Sequence, residues 1–544
     1  MELSHIGRYE IYTDAETITS DNVIAVLQKA LGVHRINVAD INRLLDYEKG
    51  VQPLIREKKS RKEIDNKVVD NVAAQVTDFW LGFAWGNPIR LRQKGNRWKD
   101  NEKEAEAISL LNECYTATDN DCDTMKLARY IEICGVGYTY IDINVDYEDG
   151  ESYFTRDVLR PQNAFVVRSS VYPDNRVMLG VSYRKSEDGN YFFTAFTPDI
   201  RYEIKAMKVI NGKPVEHPNN DDGMLWGERS RSGERNPLGR VPIIEWIRSN
   251  DRTGVFEKQI SEMDNLNLLV SDFTNDVDQN TQAIIHANDI EVPEIEIEEE
   301  YIKEDGTTGT RKVTRKREYK EGEWVYTETT QDGKTPFIKS VESNYDYPGM
   351  LSNILSRRSL ILQKCHVPIT TDKTNGATGV AMDAATGWSD AEAVASAQEI
   401  ITNGCYIEEV RVVLSAIREN TELEQSSILR ELKACDVEPN VRRPKTYELS
   451  IKVNSMATLI KSGFALEDVV GTIPLFDDPS TVILTSGEGV KKYQETIFLQ
   501  NEQSDGEGEE SKKDVKADQT MSDVSDQIQN SPNLDGQQKQ VEAE

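Results

Sequence analysis

The chain is 544 residues long and carries 64 Lys and Arg against 94 Asp and Glu, a formal charge of −30. At roughly 150 residues per domain this is enough for three or four domains or sub-domains. The charge excludes a conventional duplex binder, whose standing affinity comes from Lys and Arg neutralising phosphates. Hydrophobic residues at 38% and aromatics at 8% exclude a wholly disordered chain. Six cysteines are spread without a CxxC pair, so neither a disulfide framework nor a zinc site is expected, and a reducing compartment is the default. Residues 1–12 contain no apolar core of a signal peptide, and no apolar run is long enough to span a bilayer. The expectation is a soluble acidic protein, neither secreted by a cleaved signal nor membrane-spanning.

Helical spacing of apolar residues runs from Ile18 to Lys49 and again from about Asn66 to Trp80, where Val68, Val69, Val72, Val76 and Phe79 recur before the breakers of Gly82 to Pro88. Further helices are expected around Glu102 to Thr116 and Asp123 to Cys134. The period then changes: Gly137 to Ile143, Asn163 to Arg168, Val177 to Lys185, Tyr191 to Phe196 and Arg201 to Ile210 are short, aromatic and β-branched, and read as a mostly antiparallel sheet. The first half is therefore α+β.

Phe256 to His286 is the longest helical pattern, without Gly or Pro, and would span roughly 46 Å. Its narrow apolar stripe on an Asn-, Asp- and Gln-rich helix predicts packing against neighbours, other copies of the chain included. Between Asp289 and Ser340, Glu294-Ile295-Glu296-Ile297-Glu298 alternates strictly and Asp305-Gly306 and Asp332-Gly333 supply turns. A second long helix is expected from Asp346, the cap, with Pro348 in the first turn, to a stop before Pro368. Thr370 to Gly387 is rich in small and turn residues. Ser389-Asp390-Ala391-Glu392 has the spacing of a capping box and opens another long helix to about Asn420. Residues 501–544 hold 12 acidic and 4 basic residues and no aromatic, so a disordered tail takes −8 and leaves −22 to the first 500 residues.

Chemical motifs are scarce. There is no phosphate loop, HExxH or GxSxG. Gly135-Val136-Gly137 precedes a strand and reads as a structural turn. Asp119 to Asp123 resembles a calcium loop, but Thr124 stands where Gly is needed and Tyr130 where the bidentate Glu is needed, so a helix cap is the better reading. The five histidines are isolated. The basic cluster Arg311, Lys312, Arg315, Lys316 and Arg317 alternates with glutamates and reads most simply as the solvated face of a hairpin, with a phosphate- or partner-facing rim as the alternative.

Asn66-Lys67-Val68-Val69-Asp70-Asn71, Leu81-Gly82 and Gly86-Asn87-Pro88 resemble an N-terminal motif of bacteriophage portal proteins of the siphophage type found on Gram-positive hosts. Gly137 to Tyr140, Arg160 to Phe165, Val241 to Glu245, and Asp264, Ser271-Asp272 and Asp276-Val277 resemble later landmarks of that family in the same order. The resemblance implies an α+β portal fold with wing, two-helix stem, β-rich clip, tunnel loop and helical crown, followed by the acidic tail. Carried onto this sequence, it implies a wing over 1–255, a first stem helix over 256–288, a clip over 289–340 and a second stem helix over 341–367. A tunnel loop over 368–388, a long helix over 389–421, a crown over 422–500 and a tail over 501–544 complete it.

The implied function is non-enzymatic: a homo-oligomeric ring, typically of about twelve subunits, at one capsid vertex, through which double-stranded DNA is packaged and ejected. The implied partners are the terminase large subunit, head-completion and adaptor proteins, scaffolding protein and major capsid protein, with no cofactor, metal or membrane. Lys373, Asn375, Thr378 and Asp383 are the tunnel-loop candidates for contact with DNA, although Asp383-Ala384-Ala385 stands where the family pattern leads to basic or bulky residues. Arg311, Lys312, Arg315 and Trp324 are the clip candidates for partner binding. The competing readings are a metal-dependent nuclease, which needs carboxylates converging on Mg²⁺, and a monomeric acidic adaptor.

Overall fold

The computed structural model describes residues 5–54, 64–94, 102–148, 150–171, 175–185, 187, 191–206, 209–210, 213–214, 233–281, 284–288, 294–302, 308–316, 337–341, 346–369, 387–424, 426–441, 448–466, 469–470, 473 and 489. They belong to two compact units, 1–444 and 445–544. The first unit opens with β1 (Tyr12–Thr13), α1 (Val23–Glu48), α2 (Val72–Trp85), β2 (Arg90–Gln93), α3 (Glu102–Ala117) and α4 (Asn120–Cys134). Strands follow: β3 (Val136–Ile143), β4 (Phe154–Leu159), β5 (Ala164–Ser169), β6 (Val177–Lys185), β7 (Tyr191–Phe196), β8 (Ile200–Ala206), β9 (Val209–Ile210), β10 (Lys213–Pro214), β11 (Glu234–Arg235) and β12 (Ile243–Ile247). Then come α5 (Ile260–Thr281), β13 (Ile284–Asn288), β14 (Glu294–Ile302), β15 (Thr308–Lys316), β16 (Phe337–Val341), α6 (Tyr347–Lys364), α7 (Trp388–Glu419), α8 (Ile428–Glu431) and β17 (Val437–Asn440). In the second unit, α9 (Glu448–Lys461) buries Met456 against Leu466, Val469 and Val470.

The mixed α+β class is as the sequence predicts. The larger sheet has the order β1-β5-β6-β7-β8-β11 and is antiparallel except for the parallel β1–β5 edge. A three-stranded sheet, β12-β3-β4, and the ladder β2–β17 complete the body. Helix α1 serves two cores. Its first half (Val23, Val26, Leu27, Ala30, Leu31) covers Phe165, Val167, Leu179, Val181 and Phe193 of the larger sheet. Its second half (Ile41, Leu44, Tyr47) packs with Val72, Val76 and Trp80 of α2. The body extends past α7, because Val437–Asn440 pairs with Arg90–Gln93 and Leu423, Leu429 and Leu432 share a core with Leu111 of α3.

Buried carboxylates tie these layers together. Glu132 of α4 accepts from Trp85 Nε1 (3.0 Å), Gln398 Nε2 (2.5 Å) and Arg248 Nε (2.8 Å), which joins α2, α7 and the end of β12. Glu409 of α7 accepts from Arg156 Nε at 2.9 Å and Thr139 Oγ1 at 2.7 Å, with both members of the ion pair fully buried. Removing one member of such a pair strands a buried charge, which typically costs about 3–5 kcal/mol. Glu245 pairs with Arg252 (3.0 Å) and Arg168 (2.9 Å); burial works to raise its carboxyl, but the two guanidiniums outweigh it and hold the group below the usual carboxylate range.

Several sequence expectations need correction. The helical reading of Asn66 to Trp80 is displaced: residues 64–70 are not helical and α2 runs from Val72 to Trp85, with Asn71 as its cap, accepting from Ala74 N at 3.4 Å. The pattern from Phe256 to His286 is not one helix. Residues Glu257–Gln259 form a 3₁₀ turn and α5 ends at Thr281. Ile284–Asn288, within the span 256–288 expected as helix, is a strand because its β-branched pair Ile284-Ile285 finds an antiparallel partner in Phe337–Val341. Val341, the first residue of the span 341–367 that the resemblance implies for the second stem helix, lies in that partner strand, and α6 starts at Tyr347, as the expected start at Asp346 has it. Its cap is the expected one: Asp346 accepts from Gly349 N at 3.0 Å. The capping box at Ser389 to Glu392 does not form, since α7 already begins at Trp388 after Gly387, a left-handed residue, and no side chain caps it. Of Gly135-Val136-Gly137, expected as a turn, only Gly135 turns the chain, closing α4 at φ +76°; Val136 and Gly137 already belong to β3. In Asp119 to Asp123, Asp121 grips the Arg90 guanidinium at 2.8 and 2.9 Å and Asp123 pairs with Lys126 at 2.8 Å.

One buried base sets an acid-sensitive term. His34 lies in α1 against Phe165, ring centroids 4.5 Å apart, and its Nε2 is 3.0 Å from Gln162 O. Burial holds the imidazole down at about 4, and the Gln162 contact only partly offsets this. In the unfolded chain the ring takes its proton near pH 6.5. Between those values the unfolded state binds a proton that the folded state refuses, so stability falls as pH falls. Relative to a His34→Gln variant, the natural chain should lose about 3 kcal/mol between pH 6.5 and 4. Denaturant midpoints measured across that window test this; parallel curves for the two proteins would disprove it.

Candidate functional site: a helix pair and its charged hairpin

The helix pair begins at a tightly pinned junction. Glu257, buried in the turn before α5, accepts from Gly7 N and Gly254 N, each at 2.9 Å, and from the Arg8 guanidinium. From there α5 packs Met263 and Leu266 into the same core as Val72, Val76 and Trp80 of α2 and Ile354, Ile361 and Leu362 of α6. Its apolar stripe, expected to meet neighbours that include other copies, is used within the chain as far as Phe273, while Val277 beyond it is 39% exposed. Helices α5 and α6 are antiparallel: Glu262 lies beside Lys364 at 3.3 Å near one end, and Phe273 meets Tyr347 edge-on at 6.0 Å near the other. Trp80 Nε1 donates to Cys365 O at 3.0 Å and fixes the returning end of α6 on the body.

The polar face of α5 is occupied as well. Asn66 N donates to Asn275 Oδ1 (2.7 Å), Val68 N to Ser271 Oγ (3.0 Å) and Asp70 N to Asn267 Oδ1 (2.9 Å). Ser271 Oγ also lies 3.2 Å from Val68 O and Asn275 Nδ2 3.4 Å from Asn66 O. Alternate residues of an extended chain are about 6.6 Å apart, and every fourth residue of a helix is about 6 Å further along its axis. The two repeats match closely enough for three consecutive rungs. The strap is then held from the other side, where Arg358 Nε of α6 donates to Asp70 at 2.9 Å and Arg358 Nη2 to Gln75 at 2.6 Å. Asn267 is wholly buried and its Nδ2 donates to Gln52 Oε1, so truncating it strands two partners. Asn267→Ala should cost about 2–6 kcal/mol, at 1–3 kcal/mol per stranded buried group, and speed amide exchange at Asp70 and Val68. Thr274→Ala, on the same helix but bonded among the described residues to Val270 O of its own helix, is the control. Unchanged exchange in Asn267→Ala would show that the rungs do not hold the strap.

Charge is divided between the two helices. Helix α5 carries Glu262, Asp264, Asp272, Asp276 and Asp278 and no Lys or Arg, whereas α6 carries Arg357, Arg358 and Lys364 and no acid. Within the subunit Glu262 meets Lys364, Asp264 accepts from Tyr47 Oη at 2.8 Å, and Asp278 meets Asn66. Asp272 and Asp276 fall on a different face from the strap-binding residues by helical spacing.

Beyond α5 and α6, the ladder β13–β16 leads to the hairpin β14–β15, in which Glu296 faces Thr314, Ile297 faces Val313, Glu298 faces Lys312 and Glu299 faces Arg311. The predicted residues Arg311, Lys312 and Arg315 are brought together here, with side chains 62%, 69% and 62% exposed. Glutamates of the facing strand meet them: Arg311 and Arg315 both reach Glu299, the former at 3.4 Å, and Lys312 reaches Glu296 at 3.5 Å. Trp324, the fourth clip candidate, lies outside the described residues, as do Lys373, Asn375, Thr378 and Asp383 and the tail 501–544. The two sides of segment 370–386 are adjacent: a Cβ on Gly387 would stand 3.8 Å from Pro368 Cα, and His366 Nδ1 is 2.6 Å from Asp390 Oδ2. Among the described residues, no group of three or more His, Cys, Asp or Glu is arranged to hold a metal ion, and no helix is long and apolar enough to cross a membrane.

No curated protein matches the chain. Among solved structures, a similar chain comes from the "Neck of empty GTA particle computed with C6 symmetry", at 9% identity and a TM-score of 0.36, covering 78% of this chain and 95% of that one. The family model described as "Phage portal protein, SPP1 Gp6-like" matches residues 31–401, well over half of the sequence and including the strap, both helices of the pair and the hairpin. The chain therefore belongs to the SPP1 Gp6-like family of phage portal proteins, and is a component of the phage head-to-tail connector.

Proposed function

We propose that this chain is the non-enzymatic portal subunit of a siphophage-type virion of a Gram-positive host, assembled as a ring of about twelve copies at one capsid vertex. DNA passes through the ring on packaging and on ejection. On this reading 1–255 form the wing, α5 and α6 the stem, 289–340 the clip, 368–388 the tunnel loop, 389–421 the helix returning to the wing and 422–500 the crown. The terminase large subunit docks on the clip during packaging and head-completion proteins dock there afterwards, while scaffolding and major capsid protein surround the wing. The observation that carries the reading is the family match over 31–401, supported by an antiparallel helix pair that holds a charged hairpin beyond its ends.

The net charge supports it as well. A conduit must not grip its cargo, and a protein making 6–10 phosphate contacts holds DNA with an affinity that changes by about 10³–10⁵ over ordinary salt ranges. A body carrying −22 repels the phosphate backbone instead. Purified full-length chain should appear in negative stain as rings, with a mass many times 61.6 kDa. A monodisperse particle of 61.6 kDa would overturn the portal reading in favour of a monomeric adaptor. Divalent-metal-dependent DNA cleavage by the pure protein would overturn its non-enzymatic part.

A further inference from the structure

The β14–β15 hairpin has two chemically different faces. Strand alternation puts Glu296 and Glu298 on one face with Lys312, and Ile297 and Glu299 on the other with Arg311, Val313 and Arg315. The ion pairs follow this division, Lys312 with Glu296 on the first face and Arg311 and Arg315 with Glu299 on the second. Counting these residues, the first face keeps a surplus carboxylate, Glu298, and the second a surplus guanidinium. The second face also carries the apolar pair Ile297 and Val313, and Ile297 is 39% exposed. Neither Ile297 nor Val313 belongs to any hydrophobic core of the described residues. An isolated two-stranded hairpin is marginal in water, so a nine-residue ladder whose exposed Ile297 and half-buried Val313 join no core of the described residues is a structure that needs a partner.

We propose that the partner is a second copy of this chain, the Ile297/Val313 face of one hairpin, flanked by Arg311 and Arg315, seating on the Glu296/Glu298 face of the next. Charge selects this arrangement. Packing like faces together sets surplus guanidinium against guanidinium or carboxylate against carboxylate, whereas packing unlike faces sets each against its opposite. The aliphatic stem of Lys312 supplies apolar contact on the receiving face. A contact between two different faces is heterologous: it leaves each copy with one used and one open face, and so it propagates until a ring closes. The inference rests on the ring reading above and adds to it a direction, each hairpin giving its apolar face to one neighbour and its acidic face to the other.

The test uses full-length chains carrying Arg311→Glu with Arg315→Glu, or Glu296→Lys with Glu298→Lys, and reads the assembled fraction by native mass spectrometry. Each variant alone places like charge on both faces, and its assembled fraction should fall about tenfold. Mixed one to one, they should co-assemble, because the reversed face of each now meets its complement on the other. Ile297→Ser with Val313→Ser changes no charge and should also lower assembly. It serves as the second measure should the triple-carboxylate face of the first variant open the hairpin. Charge variants that assemble like the natural chain, or a mixture that gains nothing over its components, would overturn the contact while leaving the ring intact. A natural chain that never exceeds 61.6 kDa would overturn both the ring and the contact.

Discussion

Three backbone amides and three side chains on one helix face hold the extended segment 66–70 along α5. The rungs at Asn66, Val68 and Asp70 work because two residues of extended chain and four residues of helix advance by nearly the same distance. A drift of about 0.6 Å per rung is tolerable over three rungs and would break the ladder over many more. The strap therefore ends where it does. At Asn71 the chain turns into α2, with the Asn71 side chain donating to Glu48 O at the end of α1 at 2.8 Å and accepting from Gln52 at 3.0 Å. The end of α1, the start of α2 and the middle of α5 are thereby fixed to one another through Asn71, Gln52 and Asn267. The link from Asp70 to Arg358 brings in α6.

Part of the acidity of the chain is spent inside it. A count of −30 treats every carboxylate alike, yet Glu132, Glu245, Glu257 and Glu409 are buried and each meets a guanidinium. These charges are invisible to DNA and serve cohesion between layers. Their partners Arg8, Arg156 and Arg252 are equally withdrawn from any role on the surface. The field outside the molecule comes from the carboxylates that stay at the surface. Repulsion of a duplex is thus a property of particular faces, and the total charge is a poor guide to which.

Much of this architecture was legible in the sequence because it rests on local rules. The 3.6-residue period of α1, α3 and α4, the two-residue period of β6 and β7, and the Asp346 cap with Pro348 two residues on all act within a few positions. The failures share a different cause. Val68 and Val69 continue the helical spacing of α2, but their backbone is claimed by side chains some 200 residues away. Ile284 and Ile285 continue a helical pattern until a strand about 50 residues further on captures them. In both cases a long-range partner overrides a local preference. The one signal that pointed to the ladder was Asn267, Ser271 and Asn275 at intervals of four, read from sequence as part of a polar exterior. The hairpin charges were legible as a hairpin face; that Glu299 would take two arginines was not, because diagonal partners depend on twist.

The direction in which α5 leaves the body is set before the helix begins. Gly135 at φ +76° closes α4 where an added Cβ would stand 2.2 Å from Arg252 O, and at Gly254 a Cβ would stand 2.1 Å from Ile133 O. Two chain segments therefore cross at backbone contact, and only glycine permits it at either position. Arg252 itself adopts φ +55°, a conformation held in place by its bonds to Glu245 and Glu10. Glu257 then joins the N-terminal residues Gly7 and Arg8 to the same crossing. With this junction rigid at one end and the strap running along the polar face, α5 has little freedom to tilt independently of the α+β body. In the ring proposed above, whatever arrangement neighbouring bodies adopt would therefore be passed to the helix pair, and the width of a passage lined by the pair would be decided by how the bodies pack.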